Sequence, residues 1–92
     1  MEIKITTHDI KKAMNTWTLA TATIDGKTYR IRMVRFDEPS MYGIRSGRIS
    51  KLFVAGANAD HNIVINYDRG WDIRPKTAET KALLAAIVKQ FN

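Results

Sequence analysis

The sequence predicts an α+β domain: an antiparallel sheet of about four strands, a C-terminal helix packed on one face, and a short N-terminal helix or strand. Three observations carry this reading. Asp25-Gly26 sits between two alternating β-prone runs, TAETKALLAAIVKQFN repeats apolar residues at helical spacing, and ISKLFVAG and HNIVINYD supply two further strand-like runs.

At the N-terminus, Thr7 is a candidate N-cap for THDIKKAMN, in which Ile10, Ala13 and Met14 recur at helical intervals. MEIKI instead alternates like an edge strand, so residues 1–16 carry both readings. The hairpin that follows is better determined. Asp-Gly is a preferred type I′ turn, and it fixes a register that pairs Ile24 with Lys27, Ala22 with Tyr29, Ala20 with Ile31 and Thr18 with Met33. Ala20, Ala22, Ile24, Tyr29, Ile31 and Met33 then share the core face. Trp17, Leu19, Thr21, Thr23, Thr28, Arg30, Arg32 and Val34 share the other, which is mostly polar and cationic.

FDEPSMYGIRSGR is rich in turn formers and reads as a loop. The next two strands, joined by the polar segment AGANADHN, have apolar residues on both faces, which suits central or partly covered positions. In the C-terminal helix Thr80, Leu83, Leu84, Ile87, Val88 and Phe91 form the apolar stripe, with Thr77 as N-cap. Glu79 lies near the positive end of the helix and Lys89 near the negative end. The helix is expected to cover one sheet face and leave the other, with Arg30 and Arg32, open to solvent.

Length and composition bound the function. A chain of 92 residues reads as one domain, with the sheet over 17–73 and the helix over 77–91. Such a chain buries roughly 60–65 per cent of its unfolded surface. Without cysteine there is no disulfide framework, thiolate zinc site or cysteine nucleophile. No apolar run approaches a membrane span, and no signal-peptide-like segment opens the chain, so the expectation is a cytoplasmic protein. Fifteen Lys and Arg against nine Asp and Glu give a net charge of +6, pointing to an anionic partner: nucleic acid or an acidic protein surface.

Catalytic patterns are weak. His8 and His61 are the only histidines, and Ser40, Ser46 and Ser50 lie in no nucleophile elbow, so no catalytic residue, cofactor or enzyme activity is assigned. Asp60, His61, Asp68 and Asp72 are divalent-cation ligand types, but their spacing matches no metal motif; turns and caps are the simpler reading. The basic residues are more informative. Arg30, Arg32 and Arg35 in the hairpin, and Arg45 and Arg48 in the next loop, lie near the aromatics Trp17 and Tyr42. Cations interleaved with aromatics on a sheet are what nucleic-acid-binding sheets use. The bland alternative is a solvated polar face. An order of helix, strands and helix is analogous to double-stranded RNA-binding domains, although four strands are expected here and the basic cluster at the helix start is missing.

NYDRGWDI, which concentrates charge and a tryptophan, reads as a corner between strand and helix. Asp68, Arg69 and Gly70 make the turn with Gly70 free to take positive φ, Trp71 anchors beneath the helix, and Asp68 or Asp72 caps backbone or pairs with Arg69, Arg48 or Arg45.

Two stretches also carry a resemblance. Asp37, Glu38, Ser40, Tyr42, Gly43, Ile44, Gly47, Arg48, Ile49, Ser50, Lys51 and Leu52, followed by Tyr67, Asp68, Arg69, Gly70, Trp71 and Asp72, are similar to a pattern D-E-x-S-x-[YF]-G-I-x-x-G-R-I-S-K-L and then Y-D-R-G-W-D. That pattern belongs to a family of small uncharacterised bacterial and mobile-element proteins. The resemblance covers most of residues 17–91 and implies no activity. It does imply that the two motifs meet in space, with Arg48 or Arg69 bridging Asp37, Glu38, Asp68 or Asp72, so as to form a binding surface or to lock the loop to the helix start.

The functional expectation is a non-enzymatic binding module using Trp17, Arg30, Arg32, Arg35, Tyr42, Arg45 and Arg48 on nucleic acid. The alternative is a protein-interaction or accessory protein of a mobile element, binding through Trp17, Leu19 and the motif loop.

Overall fold

The computed structural model describes residues 2–8, 17–56 and 62–92. It is an antiparallel meander of six strands, each paired with its neighbour in sequence, followed by one helix. The strands are β1 (Ile3–His8), β2 (Trp17–Ile24), β3 (Lys27–Arg35), β4 (Ile49–Gly56), β5 (Ile63–Asp68) and β6 (Trp71–Ile73), and the helix α1 is Ala78–Phe91.

The sequence reading gave about four strands, and both additions come from the ends of the sheet. At the N-terminus the alternation of MEIKI prevails: Thr7 and His8 are in β1, opposite Ala20 and Leu19, so Thr7 caps no helix. The remainder of the expected first helix lies outside the described residues. A sheet of six strands, opened by β1, departs further from the order of helix, strands and helix that suggested double-stranded RNA-binding domains. At the other end Trp71 and Ile73 make a short edge strand on β5 before the helix. Three residues between a turn and Arg74-Pro75 leave too little periodicity to distinguish a strand from a corner.

The hairpin of β2 and β3 has the register that its turn dictates, from Ile24 opposite Lys27 to Thr18 opposite Met33. Asp25 and Gly26 take φ of 48° and 82°, the paired left-handed conformations of a type I′ turn. Ala20, Ala22, Ile24, Tyr29, Ile31 and Met33 are all buried, as the alternation requires. Register carries this face across the sheet: Ala20, Ile31, Val54 and Ile65 form one row, and Met33, Leu52, Tyr67 and Trp71 another.

Helix α1 joins the same core through Leu83, Leu84, Ile87 and Phe91. Each such side chain contributes about 1.5–3 kcal/mol on burial, and an isolated helix this short is marginal in water. Packing against the sheet is thus what forms it. Its start is set by a capping box: Thr77 Oγ1 accepts from Thr80 N at 3.1 Å, and Thr77 N donates to Thr80 Oγ1 at 3.1 Å. The first turn is tied to the sheet, where the Tyr29 hydroxyl donates to Glu79 Oε2 at 2.5 Å and Lys27 Nζ lies 3.5 Å from the same oxygen.

The far end of the helix is held by Asn92. Its Oδ1 accepts from Arg48 N at 2.8 Å and Ile49 N at 3.0 Å, and its Nδ2 donates to the Ile44 carbonyl at 2.9 Å. The loop between β3 and β4 is thereby locked to the helix end, not to the helix start. Gly47 makes room for this contact, since a Cβ there would stand 2.1 Å from Asn92 Nδ2. Gly43 in turn abuts Gly47, whose carbonyl oxygen would lie 2.0 Å from an added Cβ. Neither glycine is used for left-handed backbone; Arg45 and Ser46 take that conformation instead, with φ of 53° and 56°.

Two predictions follow from the fastening of the helix ends. Gly47→Ala and Asn92→Ala each destabilise by about 1–3 kcal/mol. The double variant costs less than their sum, because removing the amide vacates the space a Cβ needs; urea denaturation of the four proteins of the cycle measures this, and strict additivity would refute the contact.

The second prediction concerns pH. The Tyr29 hydrogen bond, and then the Lys27 charge, hold Glu79 below the usual carboxylate range despite partial burial. The same bond, aided by burial and the Glu79 charge, pushes the Tyr29 phenol up to about 12. The Glu79 contribution is complete above the unfolded carboxylate range and is lost as pH falls through the lowered folded value. The Tyr29 contribution is complete below its unfolded value of about 10 and is lost as pH rises towards about 12. Denaturation midpoints of wild type and Tyr29→Phe should differ most at neutrality and converge at both extremes. A constant difference would contradict the linkage.

Candidate functional site

Among the described residues, no helix lies on the face of the sheet turned away from α1. Register places His8, Leu19, Arg32, Phe53 and Asn66 in one row across five strands, with Thr6, Thr21, Arg30 and Ala55 in the next. Trp17, Val34, Lys51 and Asp68 form a third row. Arg30 and Arg32 are exposed, as are the large apolar side chains of Trp17, at 36%, and Ile63, at 47%.

The centre of this face is an aromatic and cationic cluster. The Trp17 and Phe53 rings are 5.9 Å apart, and the Arg32 guanidinium lies 5.9 Å from the Trp17 centroid and 5.6 Å from that of Phe53. Contact with two rings restricts the guanidinium and leaves its planar fork suited to carboxylate or phosphate. Beside the cluster is a depression of about 410 Å³, lined by His8, Leu19, Thr21, Arg30, Arg32, Phe53, Ala55 and Ile63, among others. His8 Nε2 and Thr21 Oγ1 are 3.2 Å apart at its side. Next to Phe53 in the row, Asn66 Oδ1 is buried and has no hydrogen-bond partner among the described residues.

The seven expected binding residues do not form one surface. Trp17, Arg30 and Arg32 share the open face. Arg35 belongs to the helix side, where its guanidinium lies 5.4 Å from the Phe91 ring. Arg48 donates from Nε to the Phe36 carbonyl at 3.0 Å and so braces the loop. Arg45 and Tyr42 are exposed on that loop, and the Tyr42 carbonyl accepts from the Tyr67 hydroxyl at 2.8 Å. Alternation along β3 turns Arg35 away from Arg30 and Arg32, and a bulge marks the end of the β3–β4 pairing: Val34 pairs with Lys51 and Arg35 with Ile49, so Ser50 is the extra residue. Its hydroxyl donates to the Val34 carbonyl at 3.0 Å. Sequence reasoning also passed over Phe53, whose strand neighbours gave no sign that it would meet Trp17 across β3.

The motif stretches do meet, but not through arginine–carboxylate bridges. The contacts are the Tyr67 bond to Tyr42 and a bond of 2.8 Å from Arg69 N to the Ser50 carbonyl. Asp68 lies 4.0 Å from Lys51 and 3.8 Å from Arg69. In the turn it is Arg69 that takes positive φ, at 56°, and Gly70 does not. Trp71 is half-buried against the core, meets Tyr67 edge-on at 5.0 Å, and has Arg74 5.2 Å from its ring. Of the candidate metal ligands, Asp60 and His61 lie outside the described residues. Among the described ones, no group of three or more His, Asp or Glu side chains is placed to hold an ion.

Arg32→Ala should change stability by less than about 1 kcal/mol, as expected for an exposed cation–π contact. In a Trp71→Phe background it should shift Trp17 emission to the red. Unchanged emission would show that the guanidinium does not cover Trp17.

No curated protein matches the chain, and no solved structure does. A family profile described as a domain of unknown function, DUF7678, matches residues 16–92. It spans β2 to the end of α1 and leaves out only β1 among the described strands. The chain, with its hairpin, fastened loop and covering helix, therefore belongs to the DUF7678 family of uncharacterised domains.

Proposed function

We propose that this protein is a non-enzymatic, cytoplasmic binding module that takes nucleic acid on the open sheet face. The observation that carries the reading is the placement of Arg30 and Arg32 beside Trp17 and Phe53 on the face that α1 leaves uncovered. Cations provide attraction to phosphates, while aromatic rings give bases a surface on which to stack. The net charge of +6 adds a favourable long-range field. Among the described residues, no helix is long and apolar enough to cross a membrane.

A second reading has its own observation. Met41 is 79% exposed and Tyr42 57%, side by side on the loop fastened by Asn92. Exposed apolar side chains on a braced loop suit a protein partner, the alternative of a protein-interaction or accessory protein.

Fluorescence anisotropy with labelled single-stranded and duplex oligonucleotides tests the first reading. Binding of at least one form is expected, weakening about tenfold when salt rises fourfold, as contact with a few phosphates implies. Reversing both charges, Arg30→Glu with Arg32→Glu, should abolish it. Absence of binding to both forms at low salt, or indifference to the reversal, would leave the loop reading in its place.

A further inference from the structure

We infer that the depression on the open face is a subsite for one unstacked nucleotide, which makes the face selective for single strands. This rests on the nucleic-acid reading and narrows it. The depression measures about 410 Å³, within the range of sites that enclose small molecules. A duplex keeps its bases stacked and paired, so it has nothing to insert, whereas a single strand can turn one base inward.

The lining divides in the way a nucleotide requires. Phe53, Leu19 and Ile63 supply apolar wall, and Phe53 supplies a ring face. Arg30 and Arg32 stand at alternate positions of β3, about 7 Å apart along the strand, and can follow a phosphate backbone. Thr21 and His8, 3.2 Å apart, bring hydroxyl and imidazole to the same space for sugar or base edges. Arg32 is held against Phe53, so its charge is positioned before any ligand arrives and little side-chain entropy remains to be lost. A base then stacks on the Phe53 ring or on the guanidinium plane, both of which accept bases without regard to sequence.

The test compares a 12-nucleotide single strand with its duplex by anisotropy, using wild type, Phe53→Leu and Ala55→Leu. Phe53→Leu removes the ring face and keeps apolar bulk; Ala55→Leu fills the depression and removes no charge. Circular dichroism establishes that each variant is folded, and the second variant decides the matter if the first is not. The single strand is expected to bind about tenfold more tightly than the duplex, and either folded variant to lose about that factor for the single strand alone. Equal affinity for both nucleic acids, or folded variants that bind the single strand like wild type, would overturn the subsite while leaving the basic face as a binder. Failure to bind either nucleic acid would overturn the face itself.

Discussion

The fold turns on one shortage among the described residues: the 14-residue helix α1 covers one side of a six-stranded sheet. The alternation along β2 and β3 answers that shortage residue by residue, with alanine, isoleucine, tyrosine and methionine inward and threonine and arginine outward. Because one face alone can be dry, the helix must be kept on it at both ends. Tyr29 and Lys27 hold its start through Glu79, and the loop before β4 holds its end through Asn92. The arginines and rings of the opposite face are then not part of the core that α1 closes.

What the sequence disclosed follows from how local the determinants are. A two-residue turn fixed the register of β2 and β3, and the spacing of Leu83, Leu84, Ile87 and Phe91 fixed the buried side of α1. Strands β1 and β6 were harder, because one competed with a helical spacing and the other has three residues. Glycines misled more than any other residue type. Gly43 and Gly47 are small so that loop and helix end can approach, and Gly70 leaves the left-handed conformation to Arg69. Composition marks where glycine stands, but the reason for Gly47 lies in Asn92, more than 40 residues away, and the reason for Gly43 lies in Gly47 itself.

The candidate face was half legible. Parity along β3 placed Arg30 and Arg32 outward, and the same counting, carried past Val34, turns Arg35 to the helix side, where it meets Phe91. It could not bring Phe53 of β4 to Trp17 of β2, since that meeting depends on the register of two successive strand pairs. The two motif stretches, for their part, are mostly architecture: their meeting runs through a tyrosine hydroxyl, backbone groups and a loosely spaced Lys51–Asp68 pair. Charge in these motifs thus says little about how they meet.

The Asn92 fastening has a consequence for the order of assembly. Every strand pairs with its neighbour in sequence, so the sheet can grow hairpin by hairpin with small losses of chain entropy. The three bonds of the Asn92 amide join residues 43 to 48 positions apart. They become favourable only after β4 and α1 exist to present both sides. The amide is therefore a latch that can close only on elements already in place, fastening a loop that its own backbone bonds have shaped.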